Sequence, residues 1–280
     1  MDYMRNYERW LSSPALSDRE RAELAAIRGD EKEIESRFYA QLSFGTAGLR
    51  GTMGVGLNRM NVHVIRHATQ AFAQVILDEG PETAVKGVAI CFDCRNNSAL
   101  FAREAACVMA ANGISVRLFD TLRPTPELSF AIRHYGCAAG INITASHNPK
   151  EYNGYKVYWS DGAQLPPRHA DLVAEKMREL DVFDSIRTMD YDAAVAAGRI
   201  TLMGEETDEL FLAKVMEQVN DKAAVDAVRK LSQDVGIPAD LKGIVKEEDV
   251  QFLAESAYAD ACRPGNPRDT SVEEIAALFR

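Results

Sequence analysis

The stretch AAGINITASHNPKEYNGYK, residues 138–156, decides how the fold of this chain is interpreted. Its apolar beginning, Ala138–Ile143, predicts a buried strand, and the polar residues that follow predict a loop. Ligands of open α/β sheets bind outside the carboxyl ends of the strands. The stretch therefore predicts a ligand-binding loop that offers a hydroxyl, an imidazole, an amide and ammonium groups at the end of a strand.

The residues around this loop alternate between short apolar runs and helical patterns. Strands are predicted at Val88–Phe92, Ile114–Phe119 and Tyr155–Trp159, and the apolar run Ile200–Met203 ends this alternating part of the chain. Helices are predicted at Ser98–Asn112, from Thr125 (as an N-cap) to Tyr135, and around Leu172–Leu180. Helices between short apolar strands indicate parallel crossovers with helices on both faces of the sheet. The predicted fold class is α/β, with three layers (α/β/α) and a mostly parallel mixed sheet.

The two ends of the chain differ from this central part. A charged helical stretch runs from Ser17-Asp18 to Phe38-Tyr39, and a more apolar helix from Val62 to Ile76 ends at Gly80-Pro81. After Asn220 the patterns predict only helices, with no clear strand: Ala223–Leu231, Glu248–Ala261 and Ser271–Phe279. We therefore expect a boundary near Asn220, followed by a short all-helical tail.

Composition narrows the class of protein. The chain has 280 residues, 46% of them hydrophobic, and a net charge of −10, which is typical of a soluble globular protein and unlike a basic nucleic-acid binder. The sequence contains no apolar run long enough for a membrane span and no N-terminal signal core. Its odd number of cysteines includes a single Cys91-x-x-Cys94 pair, which we interpret as two small buried residues at a strand end. These features predict a cytoplasmic protein.

Ser146 is the candidate chemical group of the loop. A serine hydroxyl can carry a phosphoryl group when its proton can be removed and returned and when cations surround the phosphate. His147 and Lys156 lie nearby in sequence, and Arg50 closes the Gly-rich turn Phe44–Gly51, whose backbone N–H groups can cradle an anion. The alternative is that Ser146 is only a turn residue in a surface loop.

Three motifs, in order, resemble the α-D-phosphohexomutases, the phosphoglucomutase/phosphomannomutase family. Residues 144–156 resemble the phosphoserine loop of that family, Phe44–Gly51 its N-terminal signature, and Asp93–Ser98 its Asp-x-Arg strand-end motif. The resemblance covers residues 1 to about 220. It implies that the chain contains the first α/β/α domain of the family.

The resemblance also implies a mechanism and roles for individual residues. A phosphorylated Ser146 would exchange its phosphoryl group with a hexose phosphate through a bisphosphate intermediate, with glucose 1,6-bisphosphate as activator and Mg²⁺ as counter-ion. The implied catalytic residues are Ser146, His147 and Lys156, the last as general acid/base. The implied phosphate-binding residues are Arg50, Arg95 and Asn148.

Other motifs of the family are absent from the sequence. The Asp-Gly-Asp-x-Asp-Arg loop that supplies three metal-binding aspartates does not occur, so the only metal contact implied here is the phosphate on Ser146. The Arg-x-Ser-Gly-Thr-Glu-Pro phosphate loop is absent too. Gly204-Glu205-Glu206-Thr207 looks like the sugar-binding loop of the family, but by its position we interpret it as a turn and cap before a helix starting at Asp208.

Residues from about 223 to 280 resemble the C-terminal tail of iron-dependent alcohol dehydrogenases. The residues that carry this resemblance are Leu231–Pro238, Val245–Val250 and Asp260–Arg268. The expected organisation is a phosphoserine domain at 1–204, a linker or start of a second domain at 205–220, and the tail at 221–280. Two explanations are a hybrid reading frame joining two genes near Asn220, by rearrangement or as an artefact, and a genuine small fusion.

Three functions follow from these patterns. The first is a phosphohexomutase whose chain, as a truncated form, turns over little or nothing alone. The second is a non-catalytic fragment that binds phosphosugars, and the third is a relic of an iron-dependent alcohol dehydrogenase. All five histidines precede the tail, so no iron site is transferred. The expected partner is a hexose phosphate, without nucleic acid or membrane, and exposed apolar surface favours self-association.

Overall fold

The predicted strands pair into one mixed sheet with a further strand, Leu49–Thr52, which begins inside the segment predicted as a Gly-rich turn. This computed structural model describes residues 3–46, 48–218, 222–237, 245–259 and 270–279, and within them six strands form a sheet of order β1-β5-β4-β2-β3-β6. The strands are β1 (Leu49–Thr52), β2 (Val88–Phe92), β3 (Val116–Phe119), β4 (Ala139–Ile143), β5 (Tyr152–Trp159) and β6 (Ile200–Met203). The pairs β2–β4, β2–β3 and β3–β6 are parallel, whereas β5 is antiparallel to both β1 and β4. The predicted α/β class with a mostly parallel mixed sheet is confirmed.

The chain divides into two compact units, Met1–Thr207 and Asp208–Arg280. Helices of the first unit are α1 (Tyr3–Ser12), α2 (Asp18–Ala26), α3 (Glu31–Phe38), α4 (Val62–Asp78), α5 (Pro81–Lys86), α6 (Ser98–Ala111), α7 (Thr125–His134), α8 (Pro167–Glu179) and α9 (Tyr191–Ala196). Then follow α10 (Glu205–Glu217), α11 (Lys222–Asp234), α12 (Glu247–Tyr258) and α13 (Val272–Phe279). None of the described helices combines the length and the apolar character needed to cross a bilayer.

Strand β2 shows why the fold has three layers. Successive side chains of a strand point to opposite faces of the sheet. Val88 and Ile90 join the larger hydrophobic core, which contains apolar residues of α4, α6 and α8. Ala89 and Cys91 join a second core with Leu128 and Ile132 of α7. The continuous apolar run of β2 is therefore explained by helices that cover both faces of the sheet.

Several local predictions need correction. The charged stretch from Ser17 to Tyr39 forms two helices, because Asp30 caps a new helix by accepting a hydrogen bond from the amide of Glu33. Thr125 is the first helical residue rather than the N-cap, which is Pro124; the Thr125 hydroxyl instead accepts a hydrogen bond from Asn142.

The Cys91-x-x-Cys94 pair is only half as predicted. Cys91 is buried, and burial raises the pKa of its thiol to about 12. Cys94 is exposed. Strand β2 ends at Phe92, and Cys94 lies two residues further on, in the loop that follows the strand.

The segment that looks like a sugar-binding loop begins a helix, as predicted, but earlier. Helix α10 starts at Glu205 rather than Asp208, and the amide of Thr207 donates to the carbonyl of Gly204. The side chain of Thr207 lies 2.8 Å from the hydroxyl of Tyr135. The compact units divide directly after this residue, earlier than the boundary expected near Asn220.

The second unit has a small core. Its buried apolar residues within the described segments are Val250, Ala254 and Ala276, where α12 packs on α13. Large apolar side chains remain exposed, including Leu231 of α11 (60% exposed) and Phe252 of α12 (69% exposed). The predicted helices of the tail are present, whereas Asp260–Arg268 lies outside the described residues.

We predict that limited trypsin digestion cleaves within residues 208–280 before it cleaves within residues 1–207. Segments with few buried apolar contacts open at low free energy and are cut first. The measurement is peptide mapping by mass spectrometry at early time points. Strong amide hydrogen-exchange protection across α11 would contradict this prediction.

Gly48 lets β1 approach β5 closely. Its φ is +76°, and a Cβ atom at this position would lie 1.9 Å from the carbonyl oxygen of Tyr155. Leu49 is the register partner of the same Tyr155. Only a residue without a side chain fits where the two strands meet in this way.

We therefore expect Gly48→Ala to destabilise the protein by about 1–3 kcal/mol more than Gly113→Ala, because forcing an atom into a packed site adds to the backbone strain. Gly113 is the matched control, since its φ is +80° and nothing lies within 4 Å of the Cβ atom that a substitution would add there. Urea unfolding of both variants measures the difference. Equal losses of stability would show that the contact with Tyr155 does not matter.

Candidate functional site

The loop after β4 lies beside the loop after β2 at the carboxyl edge of the sheet. Because β2 and β4 are parallel neighbours, both loops begin at adjacent strand ends. Ligands of open α/β sheets bind outside the carboxyl ends of the strands. Residues 93–98 follow β2, and residues 144–151 follow β4.

Ser146 is held in an uncommon backbone conformation. Its φ is +57°, in the left-handed region that residues other than glycine seldom adopt. Its amide donates to the Thr144 hydroxyl at 3.0 Å, and its side chain is exposed. The Ser146 Oγ lies 3.4 Å from Nδ1 of His147, a long hydrogen-bond distance. The structure thus brings these two predicted residues together at the surface of the loop.

Arg95 is placed inside the loop rather than at its surface. Its Nη2 donates to the carbonyl oxygens of Ser146 (2.6 Å) and Asn148 (2.5 Å), and its Nη1 donates to those of Pro149 (2.9 Å) and Tyr152 (3.2 Å). The side chain is 3% exposed. The donors of Arg95 thus bind the backbone of the loop, and the predicted contact between Arg95 and a substrate phosphate stays a prediction.

Arg50 and Asn148, which are both predicted to bind phosphate, lie next to each other in the structure. Arg50 Nη1 donates to Asn148 Oδ1 at 2.9 Å, and Arg50 is exposed. Arg50 is the register partner of Gly154, two residues before Lys156, so Arg50 and Lys156 lie on the same face of the sheet. This face therefore presents two cations beside the loop.

Lys156 is half-buried, and this environment favours its neutral form. Burial is the main cause, followed by the nearby positive charge of Arg50, and together they lower the pKa of Lys156 below its ordinary value. The carboxylate of Asp93 acts in the opposite direction. A general acid/base works best with a pKa near the working pH, so the direction of this shift suits the role implied for Lys156.

Sequence reasoning misses three residues that hold the site together. Asp93, Ser98 and Asn153 connect the loop after β2 to the start of β5 through side-chain hydrogen bonds. Asp93 and Ser98 lie in the Asp-x-Arg motif, and Asn153 lies in the serine loop motif, residues 144–156. Sequence reasoning selects only the residues of these motifs whose side chains have an evident phosphate-binding chemistry. Ser98 and Asn153 can be identified in the structure as buried polar residues, since they are only 1% and 0% exposed.

Acidic, histidine and cysteine side chains do not cluster as a metal site would require within the described residues. No group of three or more Asp, Glu, His or Cys side chains converges within the part of the chain that the structure describes. The carboxylate that follows β2, Asp93, is bound to Arg95 and to the Ser98 hydroxyl.

Replacing Arg50 tests the origin of the Lys156 shift. Arg50→Gln removes a cation that lowers the pKa of Lys156, so we expect this pKa to rise and the amine to become reactive only at higher pH. The measurement is the pH dependence of acetylation at Lys156, followed by mass spectrometry. Arg178→Gln, an exposed position on α8, serves as control. An unchanged or more acidic labelling curve in Arg50→Gln would refute this explanation.

Known sugar-phosphate mutases are similar to the larger part of this chain. The phosphoglucomutase of Staphylococcus saprophyticus is 40% identical over 197 residues, covering 70% of this chain and 35% of that protein. The phosphopentomutase of Mus musculus is 39% identical over 177 residues, covering 61% of this chain and 28% of that protein. The chain thus spans about a third of the length of these relatives. The open form of the phosphoglucomutase pp63/parafusin from Paramecium shares the fold, with a TM-score of 0.50 and 21% identity over 66% of this chain and 36% of that one.

Two family descriptions match different parts of the chain. "Fe-containing alcohol dehydrogenase family, C-terminal" matches residues 187–280, in agreement with the resemblance of the tail. "Phosphoglucomutase/phosphomannomutase, alpha/beta/alpha domain I" matches residues 41–182. This second match spans half of the chain and contains the sheet strands β1 to β5, the serine loop and its arginines. The chain therefore belongs to the phosphoglucomutase/phosphomannomutase family through its α/β/α domain I.

Proposed function

We propose that this chain carries the phosphoryl group of a phosphosugar mutase on Ser146. The observation that carries the proposal is the placement of Ser146, exposed and held with positive φ directly after β4, beside His147 and near the cations of its neighbouring strands. An exposed hydroxyl in a fixed position is what a group-transfer nucleophile needs. The family membership and the names of the relatives support the same activity.

The proposed chemistry consists of two phosphoryl transfers. In the first, a sugar hydroxyl oxygen forms a bond to phosphorus as the bond from phosphorus to Ser146 Oγ breaks, and Lys156 in its neutral form takes the hydroxyl proton. As Ser146 Oγ leaves, it takes a proton from His147. In the second transfer, Ser146 Oγ returns this proton to His147 and forms a bond to the other phosphorus of the bisphosphate, while the bond from that phosphorus to its sugar oxygen breaks and Lys156 protonates the sugar oxygen. Arg50, held by Asn148, supplies positive charge to the transferring oxygens. When bound, Mg²⁺ would neutralise further charge on the phosphate of Ser146.

The substrate class we propose is a hexose phosphate, with glucose 1,6-bisphosphate as the activator. The relatives include a phosphopentomutase of Mus musculus and a probable phosphoribomutase of Schizosaccharomyces pombe. Pentose phosphates are therefore included as substrates in the turnover test below. The residues 144–156 hold the phosphate-transfer chemistry rather than a pocket for sugar hydroxyls. We therefore place sugar discrimination outside this loop.

We further propose that the 280-residue chain turns over little or not at all on its own. Family members use three aspartates to bind the metal, and this sequence lacks that loop. Losing one electrostatic group of this kind costs a rate factor on the order of 10²–10³. We therefore expect a single phosphorylation of Ser146 to be detectable in this chain and repeated turnover to stay close to background.

The first test measures both events. Incubation of the chain with glucose 1,6-bisphosphate and Mg²⁺ is expected to add one phosphoryl group, detected by intact mass and located by peptide mapping. Ser146→Ala should abolish the addition, whereas Ser160→Ala, an exposed serine after β5, should not. Absence of phosphorylation in the natural sequence would reject the carrier proposal and leave a non-catalytic fragment that binds phosphosugars.

The same preparation tests turnover. We expect glucose 1-phosphate to be converted to glucose 6-phosphate hardly above background, and ribose 1-phosphate likewise. Robust conversion that is lost in Ser146→Ala would overturn the proposed inactivity. The comparison is valid because Ser146→Ala differs from the natural sequence in only one side chain, which is exposed.

An alcohol dehydrogenase function is the weaker candidate. Its support is the match of residues 187–280 to the C-terminal part of that family. The histidines of this chain lie in residues 63–169, within the mutase-like unit, so we transfer no iron site to the tail. We also propose a reducing, cytoplasmic setting, because Cys91, Cys94, Cys107 and Cys137 carry free thiols. Self-association stays a prediction.

A further inference from the structure

We propose that Arg95 is a positioning residue for Ser146 and acts with three polar side chains as a clamp on the serine loop. The loop clamp consists of Asp93, Arg95, Ser98 and Asn153. This inference rests on the proposed phosphoryl transfer at Ser146 and assigns to Arg95 a role other than substrate binding. Its basis is the way in which the clamp fixes the backbone on both sides of the reacting hydroxyl.

Arg95 reaches the loop at four successive points. Its two terminal nitrogens bind carbonyl oxygens of residues 146, 148, 149 and 152, so one planar group spans the loop from its nucleophile to the start of β5. A guanidinium offers several donors in a rigid fork, and a lysine ammonium cannot reproduce that geometry. The loop is therefore built around this one side chain.

Asp93 holds Arg95 in turn. Arg95 Nε lies 3.3 Å from Asp93 Oδ2, and the amide of Arg95 donates to Asp93 Oδ1 at 3.0 Å. The hydroxyl of Ser98 donates to the same Oδ1 at 2.8 Å. A buried guanidinium with a paired carboxylate avoids the cost of an isolated charge, so the pair is stable where a single charged group would not be.

Asn153 joins the clamp to β5. Its Nδ2 donates to Ser98 Oγ and to the carbonyl of Asn96, both at 3.0 Å, and its Oδ1 accepts from the amide of Gly154 at 2.7 Å. The loop after β2 is thereby fixed to the strand that follows the serine loop. The clamp therefore holds both ends of the segment that carries Ser146.

The conformation of Ser146 shows what this restraint achieves. A positive φ at serine costs free energy and persists only where surrounding contacts determine it. Two such contacts are the Thr144 hydroxyl on its amide and Arg95 on its carbonyl. Together they fix the direction in which the Ser146 hydroxyl leaves the backbone, which decides its alignment with an incoming phosphorus atom.

The decisive experiment compares Arg95→Lys with the natural sequence in single-turnover phosphorylation by glucose 1,6-bisphosphate with Mg²⁺. We expect the maximal rate of Ser146 phosphorylation to fall by on the order of 100-fold, the effect of misplacing a reacting group by about 1 Å. The half-saturating concentration of the bisphosphate should change by less than about threefold, because a residue that does not touch substrate leaves binding intact. A rise in half-saturation that accounts for the loss would instead make Arg95 a substrate ligand and overturn the proposal.

Arg21→Lys is the matched control. Arg21 also donates to three backbone carbonyls, those of Leu11, Ser13 and Leu16, but between the N-terminal helices. This variant is expected to phosphorylate Ser146 at the natural rate. A rate loss in Arg21→Lys equal to that in Arg95→Lys would show a general effect on the fold and contradict the proposal.

Two further measurements separate positioning from mere stability. Methylguanidinium at millimolar concentration is expected to restore part of the phosphorylation rate of Arg95→Ala, which a globally unfolded variant would not allow. Amide hydrogen exchange in residues 145–152 should accelerate in Arg95→Lys but not in Arg21→Lys. If the natural sequence is not phosphorylated at all, the proposed function fails, and the exchange comparison alone then decides the clamp, with unchanged exchange in Arg95→Lys overturning it.

Discussion

The pairing of β4 on its two sides is the constraint on which the site depends. On one side β4 is parallel to β2, and on the other it is antiparallel to β5. The chain therefore leaves the carboxyl edge of the sheet at Ile143 and must return to pair with the strand that it has just left. Thr144 and Gly154 close this connection by a backbone hydrogen bond of 3.0 Å. Antiparallel neighbours permit such a short return, whereas a parallel partner requires a crossover.

The strands β2 to β5 could be predicted because the sequence contains compact apolar runs, whereas β1 could not, because Leu49–Thr52 begins inside the predicted Gly-rich turn. Ala139–Ile143 is buried throughout, as its composition indicates. The start of β5 could not be predicted in this way, because Tyr152–Gly154 lie in the polar motif and join the sheet through backbone pairing with β1. Strand pairing uses main-chain groups that every sequence possesses, so side-chain patterns identify it poorly.

The residue types of the loop could be predicted more readily than their geometry. The structure places Ser146 beside His147 and Arg50 beside Asn148, and their catalytic and phosphate-binding roles stay predictions. Arg95 differs, since a cation near a predicted phosphate site suggests a ligand, and only the folded structure reveals that its donors bind carbonyl oxygens. Charge can be read from sequence, whereas the direction of a long side chain depends on neighbours far away along the chain.

The helical tail shows a different limit of sequence reasoning. Periodicity predicts its helices, but the two family matches meet between residues 182 and 187, well before the division of the compact units at Thr207. The segment matched by the dehydrogenase family therefore includes β6, which is parallel to β3 in the mutase-like sheet. Similarity of sequence and membership of a folding unit are thus separate properties in this chain.

The left-handed conformation of Ser146 has a consequence for the thermodynamics of group transfer. A nucleophile on a free loop must lose backbone entropy each time it reacts, at roughly 1–2 kcal/mol for each residue that becomes ordered. The amide of Ser146 is bound to the Thr144 hydroxyl and its carbonyl to Arg95 within the folded chain. The ordering cost is then part of the folding free energy, so in the proposed phosphoryl transfer this cost would not recur in each cycle.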